Sequence, residues 1–350
     1  MSLQSEAPHT SYTKLFSHIY VEETAHDHPR TKRILTRFPK ARIIPITSYK
    51  EVFNRYNQNF QFQKQSRKLI LANRTDEFLY RGSGFAPDFE HKNFYYNTLA
   101  LNCLYDCEYC YLQGMFPSAH LVAFVNNEGF LRAIEERIAN EKSLYLCLSY
   151  DTDLLALEDL FGYVAEWIQF ANFHPGLTLE VRTKSAAVQT LLHVPPNPRI
   201  ILAWTLSPHS IARQYETGTP STEARIKAIQ RVADHGWPVR LCLDPILPVT
   251  NWRNEYKDLL RSVASVIAPE SISEISLGTF RISSGYFKQM KKHRQSSSLL
   301  HQRYEDKNGV VSLPVDQEQE VLSEIKALAE ELFPREKIYL HHAPSSHEAL

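Results

Sequence analysis

From about residue 94 onward the chain alternates short apolar runs with amphipathic runs of helical period, and this alternation limits the possible folds more than any other feature of the sequence. Parallel strands need a crossover long enough to hold a helix, so a strand-helix-strand rhythm reads as a parallel α/β sheet. The strand-like runs are Phe94 to Leu101, His120 to Val125, Ser143 to Tyr150, Leu177 to Arg182, Arg199 to Leu206, Val239 to Ile246 and Ile272 to Leu277. Helical runs fall between them at Gly129 to Asn140, Leu154 to Asn172, Thr222 to His235 and Arg253 to Ile267. About six such units predict a partial (β/α)6 barrel of TIM type, with its chemistry at the C-terminal ends of the strands. Residues 1–93 are expected to form a small N-terminal α/β extension and 94–280 the barrel itself. Residues 281–350 are expected to close the barrel, through a Gln317 to Phe333 helix and Lys337 to His342, and to reach toward a substrate.

The loop after the first of these strands reads Cys103-Leu-Tyr-Asp-Cys107-Glu-Tyr-Cys110-Tyr111, which places three of the five cysteines in a CxxxCxxC run. Three thiols cannot pair as disulfides without leaving one over, but three thiolates can converge on a soft metal centre. A four-iron cluster held by three cysteines keeps one iron open to bind and polarise a small molecule. A structural zinc site is the competing reading, and it asks for a fourth Cys or His nearby. Cys147 and Cys242 stand alone, without a CxxC or HxxxH partner. An electron-transfer ferredoxin would supply four ligands rather than three. The run resembles that of radical S-adenosylmethionine proteins, including the aromatic Tyr111 directly after the last cysteine. In such proteins the amino and carboxylate groups of S-adenosylmethionine chelate the open iron, and one electron splits the sulfonium to a 5′-deoxyadenosyl radical.

The strand-end rule nominates further residues without reference to any family. Tyr150, Asp151, Thr152 and Asp153 end the third strand-like run, Thr183, Lys184 and Ser185 the fourth, Thr205 and Ser207 the fifth, and Asp244 lies in the sixth. Lys184 suits a carboxylate as a point charge, whereas Asp151, Thr152 or Asp153 also suits the cap of the following helix. With 43% hydrophobic residues the chain can bury a large core. The start Met1-Ser-Leu-Gln-Ser-Glu-Ala-Pro has no basic opening followed by an apolar stretch, and no apolar run approaches eighteen residues, so a cytoplasmic location and no membrane partner are expected. A reducing cytosol would keep the thiols free. Because 39 basic residues balance 39 acidic ones, any nucleic-acid surface must be local. Arg30, Lys32, Arg33, Arg37, Lys40 and Arg42 form one basic cluster, and Lys288, Lys291, Lys292, His293 and Arg294 another; each also reads as a solvated helix face.

The chain resembles the spore photoproduct lyase family of radical S-adenosylmethionine enzymes. The likeness rests on Tyr109-Cys110-Tyr111-Leu112-Gln113, then Tyr215-Glu-Thr-Gly-Thr219, Arg225-Ile-Lys-Ala-Ile229, Asp244-Pro-Ile246 and Asn251-Trp252, and spans most of residues 15–280. It implies a [4Fe-4S] cluster on Cys103, Cys107 and Cys110, with S-adenosylmethionine held by Thr152, Lys184, Thr205 and the backbone at Asp244. It also implies DNA carrying a thymine photoproduct as partner, and a reductant such as flavodoxin or ferredoxin. In the lyases the deoxyadenosyl radical takes a hydrogen from the methylene bridge of 5-thyminyl-5,6-dihydrothymine, the bridge opens, and a cysteine quenches the thymine radical. Here Tyr150 stands where that cysteine is expected. Side-chain alternation along a strand points Cys147 away from the barrel if Tyr150 points in, and makes Cys242 the better alternative donor, with a buried apolar role as its competing reading. Tyr109 and Tyr111 match the family's hydrogen relay, and Tyr150 is expected to extend it or to quench directly. The lyases' basic, aromatic hairpin is not recognisable after Phe280, and Arg303 and Tyr304 are its candidate remnants. An enzyme of the same lineage acting on another nucleic-acid or small-molecule substrate is the alternative.

Overall fold

The computed structural model describes residues 15–341, so the opening residues read for a leader, and His342, lie outside the described residues. Two parallel sheets organise the chain. The larger runs in the order Ile338–His341, Ile272–Thr279, Val239–Ile246, Ile200–Thr205, Leu177–Thr183, Leu144–Cys147, Phe94–Tyr96, and ends on Tyr80–Arg81, which pairs antiparallel. Seven strands are thus parallel, and the edge strand Ile338–His341 comes from the C-terminal segment. The 7-residue strand Leu177–Thr183 buries residues on both faces, the mark of a sheet covered by helices on one side and lining a barrel on the other.

The smaller sheet runs Arg42–Ile46, His18–Glu22, Leu69–Ala72, Leu121–Phe124, Ala100–Leu101. Leu121–Phe124, expected as the second barrel strand, pairs in parallel with Leu69–Ala72 instead, in the register Leu69↔Leu121 to Ala72↔Phe124. Every residue of both strands is buried, so the sequence pattern alone could not say which sheet would hold them. The expected Phe94 to Leu101 strand is split in the same way: Phe94–Tyr96 stays in the barrel and Ala100–Leu101 crosses to the smaller sheet. Sheet pairing therefore runs across the expected boundary at residue 93, and the cysteine loop leaves from the smaller sheet, beside the barrel. The expected Leu154 to Asn172 helix is also broken, because Gly162 takes φ +69° between Glu158–Phe161 and Tyr163–Phe173. Only glycine adopts that conformation without strain.

Arginines join the two units. Arg30 bonds Val125 O, Phe161 O and the Glu166 carboxylate, Arg33 donates to Phe161 O at 2.7 Å, and Arg37 reaches the Asp159 carboxylate at 2.5 Å. Below the rim, the barrel interior is polar. Arg240 bonds Glu180 and Glu274, donates to Tyr145 Oη at 2.6 Å and lies over the Phe89 ring at 3.3 Å. Arg182 donates to Glu180 at 2.9 Å. Buried charges persist only when each has such partners.

Candidate active site

The cysteine loop is held from three directions. Lys64 donates to Tyr105 O at 2.9 Å and Arg67 to Cys103 O at 2.9 Å. Asp106–Cys107 pairs antiparallel with Glu216–Thr217. Gln113 donates to Glu108 O at 2.7 Å. The three thiols remain free, and all face one cavity of about 370 Å³ at the C-terminal mouth of the barrel. Tyr109, Tyr111, Tyr150, Asp151, Thr152, Asp153, Thr183, Lys184, Thr205 and Asp244 line the same cavity, whereas Ser185 and Ser207, also nominated at strand ends, do not.

Burial pushes the Cys103 thiol up to about 11, and Cys107 and Cys110 upward as well. Among the described residues, no three His, Cys, Asp or Glu side chains converge as they would on a single metal ion. A cluster whose thiolates each bind a different iron does not need such convergence.

Two side chains in the cavity lack the partner their chemistry demands. Thr152 Oγ1 is buried without a hydrogen bond. Lys184 is half-buried over the Tyr109 ring at 5.2 Å, and among the described residues no carboxylate comes within ion-pair distance of it. Burial works against its ammonium, yet Cys107 and Glu216 together hold it above its usual range. Buried polar groups are normally satisfied, so both point to an absent polar ligand. Asp153, by contrast, is fully used: it accepts from Thr183 Oγ1 at 2.7 Å, Lys184 N at 2.7 Å and Ala156 N at 3.0 Å, combining the expected cap with support of the rim.

Each tyrosine is fixed by a carboxylate or a ring. Tyr109 donates to buried Glu216, which also receives Ser207 Oγ at 2.8 Å and pairs with Arg225. Burial alone would raise Glu216, but Lys184 and Arg225 outweigh it and hold the carboxyl below its usual range. Tyr111 Oη donates to Asp151 Oδ1 and to Tyr150 O, each at 3.0 Å, and Asp151 Oδ2 accepts from Thr98 at 2.9 Å. The Tyr150 ring lies 6.1 Å from Tyr111 and 5.9 Å from Tyr96. Burial raises the pKa of all three phenols, so each keeps its O–H. Glu216 and Arg225 sat inside quoted motifs without a role; a buried Glu–Arg pair nine residues apart is what gives both segments their function. Arg281, which clasps the Asp244 carboxylate at 2.8 and 2.9 Å, carried no sequence signal.

The profile of the family described as spore photoproduct lyase matches residues 15–339. The chain belongs to the spore photoproduct lyase family. The spore photoproduct lyase of Bacillus subtilis (strain 168) is 22% identical over 263 residues, 74% of this chain and 75% of that protein. The one from Geobacillus sp. (strain Y412MC61) is 23% identical over 181 residues, 51% of this chain, so the match spans about half (53%) of that relative's length. A solved spore photoproduct lyase mutant with bound AdoMet and dinucleoside spore photoproduct superposes with a TM-score of 0.79 at 19% identity, covering 95% of this chain and 100% of that one. A second, complexed with dinucleoside spore photoproduct, gives 0.79 at 18% identity, with 94% and 99% covered. These likenesses show a radical S-adenosylmethionine fold with a curled half-barrel sheet.

Set beside the spore photoproduct lyase pattern, two expectations change. Cys147 lines the cavity, together with Tyr150, and Cys242 does not. The alternation argument failed because the strand ends at Cys147 and Ser149 takes φ +52°, so the parity of side chains is lost before Tyr150. A hairpin does follow Phe280: Glu305–Lys307 and Val310–Ser312 pair across Asn308-Gly309, and Arg281–Ser283 adds a third strand. Tyr304 is packed against Phe280 and Phe287 at 5.2 and 5.4 Å, so its ring belongs to the core.

Proposed function

We propose that this chain is a radical S-adenosylmethionine lyase that repairs a thymine photoproduct in DNA. The observation that carries the reading is that three free thiols, three carboxylate- or ring-fixed tyrosines and a half-buried lysine line one cavity. Cys103, Cys107 and Cys110 would ligate a [4Fe-4S] cluster, and Thr152, Lys184, Thr205 and Asp244 would hold S-adenosylmethionine. When bound, this pair supplies a 5′-deoxyadenosyl radical on reduction by a small redox protein such as flavodoxin or ferredoxin.

The chain's own residues then position and quench. Lys184 meets the cofactor's carboxylate with a point charge that makes no direct ion pair among the described residues, and Thr152 Oγ1 gains the hydrogen bond it lacks. Arg281 fixes the Asp244 side chain so that its backbone is presented at the rim. Tyr150 gives its phenolic hydrogen to the thymine radical left when the bridge opens: the O–H bond breaks, a C–H bond forms, and a phenoxyl radical remains. Tyr111, in ring contact and bonded to the Tyr150 carbonyl, is the next hydrogen source in the relay.

One observation favours the second reading, an enzyme of the same lineage with another nucleic-acid or small-molecule substrate: Tyr150 replaces the family's donor thiol. The direct test is anaerobic loading with iron and sulfide, then reduction with S-adenosylmethionine. The proposal expects 5′-deoxyadenosine from the loaded protein and none from Cys107→Ala. Equal yields from both would overturn it.

A further inference from the structure

Residues 281–304 contain no Asp or Glu in a chain whose acidic and basic residues balance overall. The same stretch carries Arg281, Lys288, Lys291, Lys292, Arg294 and Arg303. Its centre is the helix Ser284–His293, which buries Phe287 and Met290. At about 100° per residue, Lys288, Lys291 and Lys292 fall within an arc of about 100° that adjoins the buried face at Lys291 and turns away from it through Lys288 to Lys292. All three are exposed, and none has an acidic partner within ion-pair distance among the described residues.

The other basic cluster behaves differently. Arg30, Lys32, Arg33 and Arg37 are all engaged by carboxylates or carbonyls of this chain, chiefly in joining the two units. Lys40 and Arg42 of that cluster stay exposed away from this joint, and on the lysine face only Lys291 touches the fold, its ammonium 4.8 Å from the Phe287 ring. The position of the lysine face is also fixed relative to the thiols. Arg294, at the end of the helix, donates to Asp106 at 2.6 Å and to Gln113 at 2.7 Å, and Ser297 donates to Glu108 at 2.6 Å. At its start, Ser283 and Tyr286 line the cavity, and Tyr286 and Met115 are each 36% exposed at the rim.

We propose that the Lys288, Lys291 and Lys292 face seats the phosphate backbone of double-helical DNA and so presents a lesion at the cavity rim beside Tyr286 and Met115. The inference rests on the DNA-repair reading above and deepens it. Point charges on flexible stems suit a backbone that carries one negative charge about every 1.7 Å of helix axis and is gripped without regard to sequence. A protein partner would instead call for a buried aromatic or apolar anchor at the centre of the patch, and the lysine face presents none.

The test is binding of an undamaged, fluorescently labelled duplex to the full chain, titrated with KCl, for the unaltered protein and for the triple variant Lys288→Gln, Lys291→Gln, Lys292→Gln. The variant should bind roughly tenfold more weakly or worse at low salt, and its slope of log affinity against log salt should shrink by about 2 to 3. A Lys40→Gln, Arg42→Gln variant, altered in the other cluster, should keep the original slope. An unchanged slope in the triple variant overturns the proposal. So does unchanged DNA binding with slower reduction by flavodoxin, which would make the helix a dock for the reductant. Yield of 5′-deoxyadenosine with a chemical reductant is measured on the same samples. Its absence from every sample would count against the radical enzyme alone, since the salt slope decides the seat independently.

Discussion

Tyr111 donates its phenolic hydrogen to Asp151 at 3.0 Å while its ring lies 6.1 Å from that of Tyr150, so a hydrogen source anchored to a carboxylate stands directly behind the proposed donor. Burial keeps both phenols protonated. Tyr150→Phe removes the hydroxyl and retains the ring contacts. It is expected to leave S-adenosylmethionine cleavage intact and to abolish clean repair, with products arising from an unquenched thymine radical. Product analysis by mass checks this, and an unchanged product profile would remove Tyr150 from the mechanism.

Lys184 offers the cleanest cofactor test, because among the described residues its ammonium makes no direct ion pair, only the longer-range attraction of Cys107 and Glu216. A charge-assisted hydrogen bond contributes about 1.5–3 kcal/mol, so Lys184→Gln should weaken S-adenosylmethionine binding roughly 10- to 100-fold. Equilibrium dialysis of the loaded protein measures it. Full affinity in the variant would mean that the cofactor carboxylate lies elsewhere.

Gly114 lies where the short Leu112–Met115 helix meets the basic helix. A Cβ there would come within 2.4 Å of the Tyr286 carbonyl oxygen, and backbone on both sides leaves little room to give. Gly114→Ala should destabilise the protein by about 1–3 kcal/mol, as overpacking does, and should lower iron loading because the thiol loop moves with it. Thermal melting and iron content report the two effects separately.

How far the sequence foretold this arrangement depends on which residues are considered. Cys103, Cys107, Cys110, Lys184, Thr205 and Asp244 were legible because polar or thiol groups at the ends of buried strands have few structural reasons to be there. Leu121–Phe124 was misplaced because a strand buried on both faces reads alike in either sheet. Cys147 was misjudged because a single positive φ at Ser149 resets side-chain parity, which no composition rule reveals. The hairpin after Phe280 had a signal, the Asn308-Gly309 pair just before Val310-Val311, whose two positive φ values suit a tight turn. Arg281 and Glu216 could be understood only from three-dimensional proximity.

Glu180 predicts the response to acid. Burial would raise its carboxyl, but Arg182, Arg240 and the Tyr145 hydroxyl outweigh it and bring it down to about 2 from an ordinary 4.5. A carboxylate lowered on folding stabilises the native state at every pH above its unfolded value, and this contribution fades as pH falls from 4.5 toward 2. It amounts to roughly 3 kcal/mol. Glu180→Gln should lose about that much near neutrality and flatten stability across this acid window. Denaturant melts at several pH values test it, and an equally steep decline in the variant would assign the acid response to other groups.

The most direct test of the central claim is to reduce the anaerobically loaded protein with S-adenosylmethionine, with and without an oligonucleotide containing spore photoproduct. Mass analysis then reads 5′-deoxyadenosine and repaired thymine together. The account predicts both products with the lesion present and repair lost in Tyr150→Phe. Deoxyadenosine without any repaired thymine would contradict it and leave a radical enzyme whose substrate is something other than this lesion.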